Sequence, residues 1–234
     1  MILLLAAAIA AAAPGSATVP PASCPDLVTP EALVCHALDA RASGDNEGAA
    51  RAFEQAALAS PESDPKTTRL WAAAGNMWIA ADEDGKAALD LDKALALPGL
   101  EAEQRGEALL DRARVAESQN DLKTARAKVT EAMQTISADP FIWYFSAALA
   151  IRENDPTTAQ AAIGKALALA PFDPMVLFEA GHVAHFTGDD AKARSYWMRA
   201  AGSDPDGDAG KSAAKSVEML GVIPTVKLDP TPPT

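Results

Sequence analysis

The stretch GDDAKARSYWMRA (188–200) has four counterparts upstream: GDNEGAARAFEQA (44–56), DEDGKAALDLDKA (82–94), NDLKTARAKVTEA (120–132) and NDPTTAQAAIGKA (154–166). Each begins with Gly, Asp or Asn followed by an acid. Each then carries alanine at the sixth and thirteenth places (Ala49, Ala87, Ala125, Ala159, Ala193 and Ala56, Ala94, Ala132, Ala166, Ala200). A bulky apolar residue stands at the tenth: Phe53, Leu91, Val129, Ile163 and Trp197. Successive copies are 38, 38, 34 and 34 residues apart. Self-similarity at such a period marks a solenoid, in which each unit buries its apolar face only by stacking on the next.

Working outward, a second helical stretch precedes each copy. A small residue lies seven positions before the turn (Ala37, Gly75, Ala113, Ala147, Gly181), and Leu33, Trp71, Leu109, Trp143 or Leu177 lies four positions before that. Each unit therefore reads as helix, tight turn, helix. The small residues are expected where the two helices cross, since a larger side chain would hold the axes apart. Pro61, Pro171 and Pro205 follow second helices, while Asp64-Pro65, Asp139-Pro140 and Asp173-Pro174 supply an N-cap and a proline at the first helical position. Units are expected at about 30–63, 65–99, 101–138, 140–172 and 174–205, with a capping helix over 207–221 to cover the last exposed face. The additional four residues of the first interval are expected in the proline-bearing loop PESDPKT, splaying the array there.

This pattern resembles the tetratricopeptide repeat, whose unit carries W-x2-L-G-x2-Y, then A-x3-F, then P. Trp71, Gly75, Trp78, Ala87, Leu91 and Ala94 carry the likeness in the second unit, and Gly181, Ala193, Trp197, Ala200 and Pro205 in the fifth. Ala49, Phe53, Ala56 and Pro61 carry it in the first, and Trp143, Ala147, Ala159, Ala166 and Pro171 in the fourth; the third has Ala113, Ala125 and Ala132 without an aromatic residue. The resemblance implies an all-α fold, an α-solenoid of about five helix-turn-helix repeats. It also implies a protein or peptide partner held in a groove lined by the first helix of each unit.

Composition agrees with thin helical layers. Of 234 residues, 49% are hydrophobic, many of them alanine, and only 5% are aromatic. The formal net charge is -12, with no run of Lys and Arg able to displace counterions from a phosphate backbone, so nucleic acid is excluded as an expected partner. Residues 2–13 are uniformly apolar, too few to span a bilayer, and small residues follow at Gly15-Ser16-Ala17. A signal peptide over 1–17 is expected, hence a periplasmic or secreted protein that meets a membrane only through envelope proteins. No Lys or Arg precedes the apolar run, which departs from the usual signal pattern. A Pro-rich strap (18–29) and a Pro-rich flexible tail (222–234) would flank the repeats. Cys24 and Cys35 either bridge the strap to the first helix or remain two independent thiols; export favours the bridge.

Mapped by repeat position, the groove candidates are Arg41 in the first unit, Arg69 and Asn76 in the second, and Arg114 in the third. Phe141 and Tyr144 follow in the fourth, and Phe178, His182, His185 and Phe186 in the fifth. Concentration of aromatic residues in the last two units suggests anchoring of an apolar side chain there. The alternative is that Phe141 and Tyr144 pack between units as core. One subtype of the family clamps a partner's C-terminal carboxylate with Lys, Asn and Arg, and only Asn76 and Arg114 match that set here. His182 and His185 with Asp189 form a weak candidate metal set, although turn chemistry alone accounts for Asp189. No phosphate-binding loop, nucleophile elbow or zinc-protease motif occurs. The expectation is a non-enzymatic interaction module or assembly scaffold without a cofactor; a small-ligand or metal-binding protein using His182 and His185, or an enzyme with no recognisable motif, are the rivals.

Overall fold

The computed structural model describes residues 24–222, so the expected signal (1–17), the first part of the strap and the tail from residue 223 lie outside the described residues. Among the described residues there are eleven helices. They are α1 (Pro30–Ala42), α2 (Asn46–Ala59), α3 (Pro65–Ala80), α4 (Asp84–Ala96), α5 (Ala102–Ser118), α6 (Leu122–Ala132), α7 (Pro140–Arg152), α8 (Pro156–Leu169), α9 (Pro174–Phe186), α10 (Asp190–Ser203) and α11 (Asp208–Val222). Consecutive helices pack as antiparallel pairs, and successive pairs stack. Odd-numbered helices line one face of the solenoid and even-numbered helices the other.

The quoted segments mark the turns because their first residue takes a left-handed backbone. Gly44, Asp82, Asn120, Asn154 and Gly188 have φ of 84°, 60°, 62°, 56° and 83°. Gly adopts this region freely, and Asn and Asp at modest cost, which explains why those three types alternate at the position. The acid that follows then caps the second helix. Asp45, Asp121, Asp155 and Asp189 accept hydrogen bonds from the backbone N–H of Gly48, Thr124, Thr158 and Lys192, while Glu83 makes no such side-chain bond. First helices start on Asp64, Asp139 and Asp173, each accepting a backbone N–H from the first turn with proline just inside it.

At the crossings Ala37, Ala49, Ala87, Ala113, Ala125, Ala147, Ala159 and Ala193 are fully buried. A Cβ on Gly75 would lie 2.6 Å from Leu91 Cγ, and one on Gly181 only 2.2 Å from Trp197 Nε1. Close approach is thus set by sequence: the bulky tenth residue of each segment fills the notch that the small residue of its partner helix leaves. Lysines of the second helices cover tryptophans of the first, with Lys93 Nζ 3.8 Å from the Trp71 ring centroid, Lys86 4.2 Å from that of Trp78, and Lys165 3.9 Å from that of Trp143.

The longer early repeats are accommodated otherwise than the sequence suggested. Expected loop residues are helix instead: α3 has 16 residues and α5 has 17, against 13 in α1, α7 and α9. An added turn of helix satisfies its own backbone groups and lengthens the packed face, whereas a longer loop leaves those groups to solvent. The array stays packed after α2, where Ala57 of α2 and Trp71 of α3 share one buried cluster, and Thr67 and Thr68 at the start of α3 are buried and bond through Oγ1 to the carbonyls of Pro61 and Pro98 at 2.7 Å. At the N-terminal end Cys24 and Cys35 are joined by a disulfide with Cα atoms 5.6 Å apart, fastening the segment before α1 onto that helix. His36 Nε2 adds a contact of 3.0 Å to the Pro25 carbonyl.

Candidate functional site

Between neighbouring odd-numbered helices run creases, and two of them differ in chemistry. The first lies between α3 and α5, a cavity of about 370 Å³ lined by Arg69, Ala72, Asn76, Gln104, Glu107 and Asp111 among others. Asp111 is central to it. Asn76 Nδ2 donates to Asp111 Oδ2 at 2.9 Å, and Arg114 Nη1 stands 3.6 Å from Oδ1. Burial pushes the Asp111 carboxyl above its ordinary range, against the lowering effects of the Asn76 hydrogen bond and the Arg114 charge. Of the two groups matched to a carboxylate clamp, Asn76 is therefore bonded to an acid of the chain itself, and Arg114 stands beside the same acid. A partner carboxylate would meet Asp111, with like-charge repulsion, so the partial clamp does not assemble for that purpose.

The second crease lies between α7 and α9, a cavity of about 520 Å³ lined by Ala148, Ile151, Arg152, Glu179, His182, His185 and Phe186. It is largely apolar. Arg152 is turned toward α5, where Nη1 donates to the Glu117 carbonyl at 2.9 Å and pairs with the Glu117 carboxylate, and Nη2 donates to Asn120 Oδ1 at 2.9 Å. The Glu179 side chain is only 11% exposed, yet its Oε1 has no hydrogen-bond partner among the described residues; His182 Nδ1 is 3.6 Å from the other oxygen. Such a group is costly to bury unpaired.

Tyr144 stands between the creases. It is half-buried, and its ring meets Phe141 edge-to-face with centroids 5.5 Å apart. Burial raises the phenol above its ordinary value, Arg114 opposes this, and Glu179 adds to it. The core positions of α7 are Ile142, Ser146, Ala147, Leu149 and Ala150, so Phe141, 39% exposed, is a surface residue, while Tyr144 packs partly on the core and partly on the odd-helix face. Phe178 is half-buried against the α9–α11 cluster and lies 4.3 Å, centroid to centroid, from His182. Both histidines also meet Trp197 of α10, at 5.5 and 6.0 Å, and with Met219 and Leu220 of α11 they line a smaller crease of about 280 Å³. Arg69 borders the α3–α5 crease and the α1–α3 crease beside Val34, and Arg41 is exposed in the last turn of α1.

The weak metal set does not come together. Asp189 spends its carboxylate on the N-terminus of α10, accepting from Lys192 N at 3.0 Å. His185 Nδ1 instead contacts Asp190 Oδ1 at 2.7 Å, and among the described residues no three metal-ligating side chains converge. A capping aspartate is directed at backbone N–H groups, as the turn chemistry of the sequence implies. Sequence reasoning missed Glu179. Its signal was present, since it is the lone acid inside the apolar helix PMVLFEAGHVAHF and sits three residues before His182, on the same helical face.

No family model matches the sequence, and no curated protein is similar to it at a significant level. Solved structures are. PilW, described as a widely conserved type IV pilus biogenesis factor, superposes with a TM-score of 0.65 at 16% identity, covering 79% of this chain and 82% of that one. PilF of Pseudomonas aeruginosa gives 0.65 at 15% identity over 82% and 83% of the two chains. YrrB, described as a TPR protein with an unusual peptide-binding site, gives 0.59 at 17% identity over 79% and 91%. At such identities the likeness is one of fold, and the fold of this chain is the tetratricopeptide-type α-solenoid.

Proposed function

We propose that this chain is an exported interaction module, without catalysis of its own, that holds a peptide or protein segment along the face formed by its odd-numbered helices. The observation that carries the reading is the α7–α9 crease, where Ala148, Ile151 and Phe186 present apolar surface that no part of the described chain covers. An extended segment laid there would bury that surface, and the adjoining Tyr144 and Phe141 rings offer large contact area at low entropic cost. The peptide-binding site ascribed to YrrB supports the same use of the fold.

Panning a phage-displayed dodecapeptide library on the full chain tests the proposal. Enriched peptides are expected to lose binding in Ile151→Asp and Phe186→Asp while helicity is unchanged; enrichment indifferent to both substitutions overturns the reading. Export rests on the apolar run at 2–13 and the small residues that follow it. Intact-mass measurement on the native protein is expected to find a mature chain beginning after Ala17 in an extracytoplasmic fraction. A full-length chain confined to the cytoplasm removes that part.

A further inference from the structure

The charges around the α7–α9 crease do not balance. Arg152, which lines the crease, is committed to Glu117 and Asn120, and His185 to Asp190. Glu179 has no such partner among the described residues: one carboxylate oxygen is shut away from solvent without a donor, and the other has His182 Nδ1 at 3.6 Å, beyond a direct hydrogen bond. An unpaired buried carboxylate opposes folding, and a glutamine of the same shape would lack the charge. The fold thus carries a carboxylate in the lining of an apolar crease whose own arginine, Arg152, is held elsewhere.

We infer that this crease is a receptor for a basic side chain: a partner segment lays apolar residues on Ala148, Ile151 and Phe186 and inserts one lysine or arginine whose cationic head pairs with Glu179. The inference rests on the groove-binding reading and specifies its partner. Rotation about the last torsion of Glu179 is broad and twofold, so either oxygen can turn to the incoming donor. Charge-assisted hydrogen bonds in a water-poor crease are among the stronger polar contacts, and lysine or arginine stems match the apolar walls on the way in. An acidic segment would be rejected by Glu179 and by the net charge of -12.

The test uses dodecapeptides selected by phage display on the full chain, resynthesised with a fluorescein label. The expected result is a lysine or arginine common to the selected peptides, and a Kd at least fivefold weaker for Glu179→Gln at unchanged helicity. Replacing the peptide's own basic residue by norleucine, which leaves the protein untouched, is expected to cost the same factor, with no further loss when the two changes are combined. Selected peptides without a basic residue, or a change below fivefold, overturn the inference. If Ile151→Asp still abolishes binding in that case, the groove reading survives alone; if no peptide enriches, or Ile151→Asp is silent, both fall.

Discussion

The α3–α5 and α7–α9 creases are each formed between first helices of adjacent repeats, two repeats apart, and each has an acid that packing shields in large part, Asp111 in one and Glu179 in the other. In the first, Asp111 is bonded by Asn76 and faced by Arg114, so the crease is polar and internally satisfied. In the second, Glu179 is left without a donor among Ala148, Ile151 and Phe186. Corresponding places in the repeat array therefore yield a hydrogen-bonded acid in one crease and an open demand for a cation in the other. The repeat fixes where side chains point, and individual residues decide what is asked of a partner.

The scaffold beneath the two creases can be broken at matching positions, with unequal results. Gly181→Ala drives a Cβ to 2.2 Å from Trp197 Nε1, a rigid ring already held by a 3.0 Å hydrogen bond to the Phe178 carbonyl. Gly75→Ala meets Leu91 Cγ at 2.6 Å, on a side chain able to change rotamer, and gains helix propensity. Urea unfolding is expected to show a loss of about 3 kcal/mol for the former and about 1 kcal/mol for the latter. Equal losses would mean that ring rigidity does not set the tolerance of the crossing.

The acids themselves should respond with opposite signs. Glu179→Gln removes an uncompensated buried charge and is expected to stabilise the free protein by about 1–2 kcal/mol. Asn76→Ala takes away a satisfied partner, costs about 1 kcal/mol and raises the Asp111 carboxyl further. Chemical denaturation reads the first effect and a side-chain NMR titration of Asp111 the second. Destabilisation by Glu179→Gln would show that its carboxylate is already satisfied and that the contrast between the creases is false.

A pH effect belongs to the N-terminal half. Asp90 of α4 is 1% exposed, and burial, helped by contact with the Glu54 carboxylate and opposed by the bond from Lys93, leaves it raised from 3.8 to about 6. A raised acid contributes stability that is present below 3.8 and lost as pH rises through about 6. Acidifying from pH 7 to pH 5 is expected to stabilise the chain by about 1 kcal/mol, seen as slower amide exchange in α2 to α4. Asp90→Asn should flatten that slope. Below the ordinary aspartate range the trend reverses, because Asp121 and Asp155 are lowered chiefly by hydrogen bonds from Thr124 and Thr158 that are lost on protonation.

Much of this architecture was legible in the chain because turn and crossing chemistry are local. A left-handed residue followed by a capping acid, and a small residue facing a bulky one, can each be read within a dozen positions. The groove was less legible because its chemistry depends on pairs far apart in sequence: Asn76 with Asp111, and Arg152 with Glu117 and Asn120. Asp189 was legible, since the turn pattern assigns it to the helix N-terminus, where it accepts from the backbone N–H of Lys192. The position of the longer repeats was misread for a related reason: proline and serine in PESDPKT signal a loop but not its length, and Asp64-Pro65 starts α3 within it.

The smallest expected effect tests whether cap chemistry also separates the two halves. Four of the five inter-helix turns place aspartate at the N-cap, including Asp189 in the C-terminal half, but the turn before α4 has Glu83, whose side chain caps nothing. Its longer side chain pairs instead with Lys86, at 3.2 Å, on the solvent side where both are well exposed. Exposed pairs of that kind contribute little, whereas an aspartate cap typically contributes about 1 kcal/mol. Glu83→Asp is therefore expected to gain about 0.5 kcal/mol, and Asp189→Ala to lose about 1 kcal/mol, both measured by thermal unfolding. The gain depends on Asp82 keeping its left-handed φ of 60°, since that conformation aims the next residue at the free N–H groups of α4. A neutral Glu83→Asp alongside a costly Asp189→Ala would place the difference in the backbone of the turn rather than in the length of the side chain.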